Sequence, residues 1–103
     1  MPVIAILEWP PTDGVDMRAE YARVSDELNG RPFASVADWG GGLLAHAAAA
    51  LDGGGGLVVD VWEDQARLDA WMERIMPLIR DLPEPQVRVL ETFNVVTGAE
   101  VRA

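Results

Sequence analysis

The chain has 103 residues, half of them apolar, and its 17 acidic residues outweigh eight arginines and no lysine to give a formal charge of −9. Without cysteine there are no disulfides, no thiolate chemistry and no sulfur-liganded zinc. Without lysine there is no Schiff base and no phosphate-binding lysine of a P-loop. The arginines are scattered along an acidic chain, which excludes a nucleic-acid or anionic-membrane surface as a partner.

Val3 to Trp9 is a short apolar run stopped by Pro10-Pro11, whose missing N–H groups cannot continue a ladder, and it predicts a first strand. From Asp13 the period changes. Met17, Tyr21, Val24 and Leu28 recur at helical spacing with Arg18, Glu20, Arg23, Asp26 and Glu27 between them, predicting an amphipathic helix. Thr12 or Asp13 is placed to cap its start, and Asn29-Gly30 to end it. The connection from Gly30 to Gly42 carries Phe33, Val36 and Trp39, an apolar load that must cover something beneath it.

Leu43 to Ala50 and Leu57 to Glu63 read as two strands of a hairpin joined by Leu51-Asp52-Gly53-Gly54-Gly55-Gly56. The alanines of the first are also good helix formers, but the flanking glycines and short length favour the strand. Asp64 is placed to cap a second helix with a stripe at Leu68, Trp71, Ile75, Leu78 and Leu82, a supporting Glu63–Arg67 pair and a kink or new turn at Pro77. Pro83-Glu84-Pro85 stops it, and Gln86 to Val96 reads as a last strand rich in β-branched residues. Residues 1–98 thus form one domain, and 99–103 a short tail. No apolar run approaches the roughly 20 residues of a membrane span, and no basic segment precedes the first apolar run, so a soluble, cytoplasmic protein is expected.

The order βαββαβ predicts a ferredoxin-like α+β fold, a four-stranded antiparallel sheet with two helices on one face. Both faces of the strands are apolar: in the third, Leu57, Val59 and Val61 fill one side while Val58 and Trp62 surround Asp60 on the other. Two helices cover only one face, leaving a patch of about 400 Å², large for a soluble monomer. A second copy is the simplest cover, so a homodimer is expected.

Gly41-Gly42-Leu43-Leu44-Ala45-His46, Val58-Val59-Asp60-Val61-Trp62-Glu63 and Phe93-Asn94-Val95-Val96, set in this order of elements, resemble the dimeric α+β barrel superfamily that includes the antibiotic-biosynthesis monooxygenases. The resemblance spans most of the chain, carries no catalytic signature, and implies pairing of two sheets into a dimeric barrel. It also implies that Trp62, near the end of strand three, lines a cavity between sheet and helices. The haem-degrading branch relies on an Asn, Trp and His set with its His on a helix. The lone His46 falls on a predicted strand, which argues against haem degradation.

If the hairpin pairs residues whose numbers sum to 106, His46 lies directly across from Asp60, on the face that carries Trp62. A carboxylate orienting an imidazole is a general-base arrangement. The same pair also serves as a structural hydrogen bond or a dimer seam. Tyr21, Trp71 and Asn94 are candidates for walls and a polar contact of the cavity, with Phe33 and Trp39 as its lid, although aromatic residues on helical stripes are also ordinary core. The glycine runs precede strands rather than helices and are turns, not phosphate cradles. No metal-ligand spacing, cofactor signature or nucleophile elbow at Ser25 or Ser35 is present. The leading expectation is a homodimer with one cavity per protomer for a small, mostly apolar molecule, with cofactor-independent oxygenase or isomerase-like chemistry. The rival is a non-catalytic ligand-binding or structural dimer.

Overall fold

The computed structural model describes residues 1–97. Among them the order is β1 (Val3–Trp9), α1 (Met17–Asn29), a 3-10 turn (Val36–Trp39), β2 (Leu43–Ala50), β3 (Gly56–Trp62), α2 (Gln65–Ile79) and β4 (Gln86–Glu91). The expected tail, 99–103, lies outside the described residues. The strands form one antiparallel sheet in the order β2-β3-β1-β4, which is the βαββαβ ferredoxin-like arrangement expected.

On β1, Val3, Ala5, Leu7 and Trp9 face the helices and are buried, because alternate side chains of a strand point to one face. They meet Val24 of α1 and Leu68, Trp71 and Ile79 of α2, with Trp39 and Trp62 completing the core. Burying a side chain of Leu68's kind contributes about 1.5–3 kcal/mol. The other face carries Ile4 opposite Val61 and Ile6 opposite Val59, with Ala47 beyond Val59, and no helix lies over it among the described residues.

The poly-alanine segment is a strand, and the hairpin has the register in which numbers sum to 106 from Ala45–Val61 to Ala50–Gly56. One irregularity lies between Leu43 and Ala45. It shifts Leu43 to pair with Trp62, so that Leu43 rather than Leu44 is buried beneath the helices.

β3 runs one residue earlier than expected, Gly56–Trp62 rather than Leu57 to Glu63, and three boundaries differ by more. α1 is capped by Asp16, whose carboxylate accepts from the N–H groups of Arg18 and Ala19, not by Thr12 or Asp13. Those residues belong to a turn closed by Val15 N–H on the Thr12 carbonyl, with Gly14 left-handed at φ 78°. α2 ends at Ile79, within a turn of Pro77 and ahead of Pro83. β4 stops at Glu91, not at Val96. There Thr92 turns both its N–H and its hydroxyl onto the Pro2 carbonyl at 3.0 Å, and Pro2 has no N–H with which to continue the ladder. Phe93 and Val96 lie beyond the strand, fully and largely exposed.

Candidate functional site

The hairpin register brings His46 and Asp60 side by side on the helix-facing side of the sheet, with Nδ1 of the imidazole 2.5 Å from a carboxylate oxygen. Both side chains are close to buried, 12% and 4% exposed. An ionised carboxylate only accepts hydrogen bonds, so Nδ1 carries the proton and donates to Asp60. With the ring neutral, Nε2 is an acceptor, and the Tyr21 hydroxyl, 2.7 Å away, donates to it. Tyr21 comes from the inward stripe of α1. Burial, and then the Asp60 carboxylate, push the ionisation of its phenol upward, so the hydroxyl keeps its proton.

Aromatic rings enclose this polar file. Trp39, delivered by the 3-10 turn, lies over His46 with ring centroids 4.3 Å apart, and Phe33 stacks on Trp39 at 4.1 Å. Phe33 also meets the edge of Tyr21 at 5.5 Å, and Trp71 of α2 stands 6.0 Å from Trp39. The loop that carries Phe33 and Trp39 is held by its own ion pair. Arg31 and the N–H groups of Ala34 and Ser35 all bond the buried Asp38 carboxylate, which holds it well below the usual carboxylate range.

A half-enclosed cavity of about 390 Å³ lies between sheet and helices, with Tyr21, Phe33, Trp39, His46, Asp60 and Trp71 in its walls and a mostly apolar lining. Its floor runs along Ala48 and Ala50 of β2 and Gly56 of β3, where Met17 of α1 packs so close that a Cβ on Gly56 would stand 3.2 Å from it. Ala48 and Ala50 are exposed, so the cavity opens past this edge of the sheet.

Six of the eight residues expected at the site therefore share one cavity. Trp62 and Asn94 are not in its lining. Trp62 is entirely buried behind Trp71, and Asn94 is exposed beyond the end of β4. Trp9, Met17 and the alanine floor also line the cavity and were not singled out from the sequence. The alanine run was the available signal, since side chains this small on a core-facing strand leave space. Among the described residues no three carboxylate or imidazole groups converge to hold a metal ion, and no helix is long and apolar enough to cross a membrane.

No family model matches this sequence, and no curated protein does. Among solved structures the fold is similar to a protein of unknown function from Nitrosomonas europaea, 16% identical over 92% of each chain with a TM-score of 0.66. It is similar to SnoaB, a cofactor-independent oxygenase from Streptomyces nogalater, at 12% identity over 92% of this chain and 96% of that one, TM-score 0.61. A candidate antibiotic biosynthesis monooxygenase from Deinococcus radiodurans is 9% identical, over 92% and 96%, also at 0.61. The chain thus has the fold of the antibiotic-biosynthesis-monooxygenase-like proteins.

Proposed function

We propose that the protein binds a small, flat, mostly apolar molecule in the cavity between sheet and helices and that the His46–Asp60 pair performs acid–base chemistry on it. The observation that carries this reading is a carboxylate-oriented imidazole set in the wall of an otherwise mostly apolar cavity. In such a site an imidazole takes up a proton and the carboxylate beside it stabilises the resulting cation, with little water to compete. Removing a proton from an activated C–H is a step that side chains alone can supply, and SnoaB, of similar fold, is a cofactor-independent oxygenase. That likeness makes monooxygenase-type chemistry the first to try.

The working form is a homodimer. The uncovered face around Ile4, Ile6, Val59 and Val61 is apolar, and a second sheet of the same shape covers it with the simplest symmetry.

One observation favours a second reading, that of a ligand-binding protein without catalysis: both ring nitrogens of His46 already have protein partners. The two are separated by incubating the protein with a panel of flat aromatic ketones and phenols, recording ligand-induced thermal stabilisation and oxygen uptake, and repeating both with His46→Ala and Asp60→Asn. Turnover that vanishes in folded variants supports the enzyme. Stabilisation without turnover in any form, unchanged by the substitutions, leaves a binding protein.

A further inference from the structure

His46 has no ring atom left to offer a ligand. In the neutral ring Nδ1 donates to Asp60 and Nε2 accepts from Tyr21, and Trp39 lies against the ring with centroids 4.3 Å apart. The Tyr21 oxygen is differently placed. Having given its hydrogen inward to Nε2, it keeps lone pairs free to accept, and Tyr21 is half-buried in the cavity wall.

From this geometry we infer that Tyr21 is the catalytic residue that meets the ligand, its phenol oxygen taking the ligand's acidic hydrogen while its own hydroxyl proton passes to His46 Nε2. The inference rests on the acid–base function proposed above and assigns the reacting atom within it. The ligand's X–H bond breaks and leaves its electron pair on the ligand. A new O–H bond forms at Tyr21, the old one breaks, and an N–H bond forms at His46. Tyr21 ends as a neutral phenol, His46 as an imidazolium against the Asp60 carboxylate, and the ligand as its conjugate base, with no oxidant, reductant or second substrate consumed. His46 and Asp60 thereby act through Tyr21.

A separate tyrosinate is not needed, and burial and Asp60 both disfavour one. The relay also says what the ligand is chemically. It is a weak carbon or oxygen acid, an aryl ketone with an activated C–H or a phenol, with its acidic hydrogen at the Tyr21 end and its flat body along Trp39 and Trp71.

The test uses 2-indanone, a flat bicyclic ketone with activated C–H bonds, in deuterated buffer under argon. Exchange of hydrogen for deuterium is followed by proton NMR, and binding is read separately from quenching of tryptophan fluorescence. The wild type is expected to accelerate exchange, and Tyr21→Phe to lose about 100-fold or more of that acceleration with quenching unchanged. His46→Ala should lose it as well. Tyr21 is the chain's single tyrosine, so growth on 3-fluorotyrosine alters this phenol's acidity alone, with little change in shape. The labelled protein should change its exchange rate at least about twofold, which a merely structural hydroxyl would not do.

Exchange in Tyr21→Phe equal to or faster than the wild type, with His46→Ala silent, overturns the relay and leaves the acid–base function standing at His46. An exchange rate unmoved by fluorination also overturns the relay, and serves as the arm to use if Tyr21→Phe does not fold. Binding without exchange in the wild type overturns both readings, and absence of quenching overturns the cavity on which both depend.

Discussion

Trp62 packs behind Trp71 with ring centroids 6.2 Å apart, so that only Trp71 faces the cavity while Trp62 is wholly shut away. Two tryptophans nine positions apart therefore divide one task, wall and support. Replacing Trp62 with Ala is expected to cost about 3–5 kcal/mol, the range for emptying a large aromatic site in a core. Trp62→Phe should cost less, because it also removes an indole N–H that is buried without a partner among the described residues. Urea unfolding measures both, and a loss below about 1 kcal/mol for Trp62→Ala would show the site to be loosely packed.

Asp60 and His46 are close enough to couple energetically. Removing His46 leaves a buried carboxylate without its partner, a change expected to cost about 3 kcal/mol or more. The double variant His46→Ala/Asp60→Ala should lose less than the sum of the two single variants by about 1–3 kcal/mol. Strict additivity in urea melts would mean that the two groups do not hold each other in solution.

The alanine floor lies where the cavity opens. Ala48→Leu adds volume where the cavity opens past β2 and is expected to weaken quenching by 2-indanone at least about tenfold, with stability shifted by no more than about 0.5–2 kcal/mol. Unchanged quenching would move the ligand away from this edge.

The loop that carries Phe33 and Trp39 is expected to be sensitive to acid through Asp38. Its folded pKa lies below the unfolded value because Arg31 and two backbone N–H groups favour the charged form. A lowered carboxylate pKa contributes stability above the unfolded value, about 3.9, and that contribution is lost as pH falls through the folded value. Stability should therefore drop as pH is lowered below about 4, and Asp38→Asn should flatten this part of the profile. Parallel profiles for the two proteins would assign the acid sensitivity elsewhere.

The uncovered sheet face is the place to break a dimer. Val59→Arg puts a charge beside Ile6 and Ala47, its neighbours on β1 and β2, and is expected to shift sedimentation from dimer to monomer at micromolar concentration. A wild type that sediments as a monomer would remove the basis for the paired architecture.

Much of this arrangement was legible in the sequence, because it depends on local periodicity. The switch from a short apolar run to the Met17–Tyr21–Val24–Leu28 spacing marks strand and helix, and the glycine-rich hairpin sets the register that faces His46 with Asp60. Parity decides which face of a strand a residue occupies. It says nothing of how deep the residue lies on that face, which is why Trp62 was expected in a cavity wall and stands behind one.

Other features were decided by segments that meet only when the chain is folded. The end of β4 depends on Pro2, 90 positions before Thr92, having no N–H for the ladder. That puts Asn94 outside the sheet and away from the cavity. The Tyr21–His46 hydrogen bond joins α1 to β2 across 25 positions, and no pattern within either element foretells it. Sequence alone determined the elements, their order and the pairing of adjacent strands, since these follow from neighbouring residues sharing a period. The tertiary structure alone decided depth, distance and the partner of each buried polar atom, since these depend on how layers formed by distant segments close on one another.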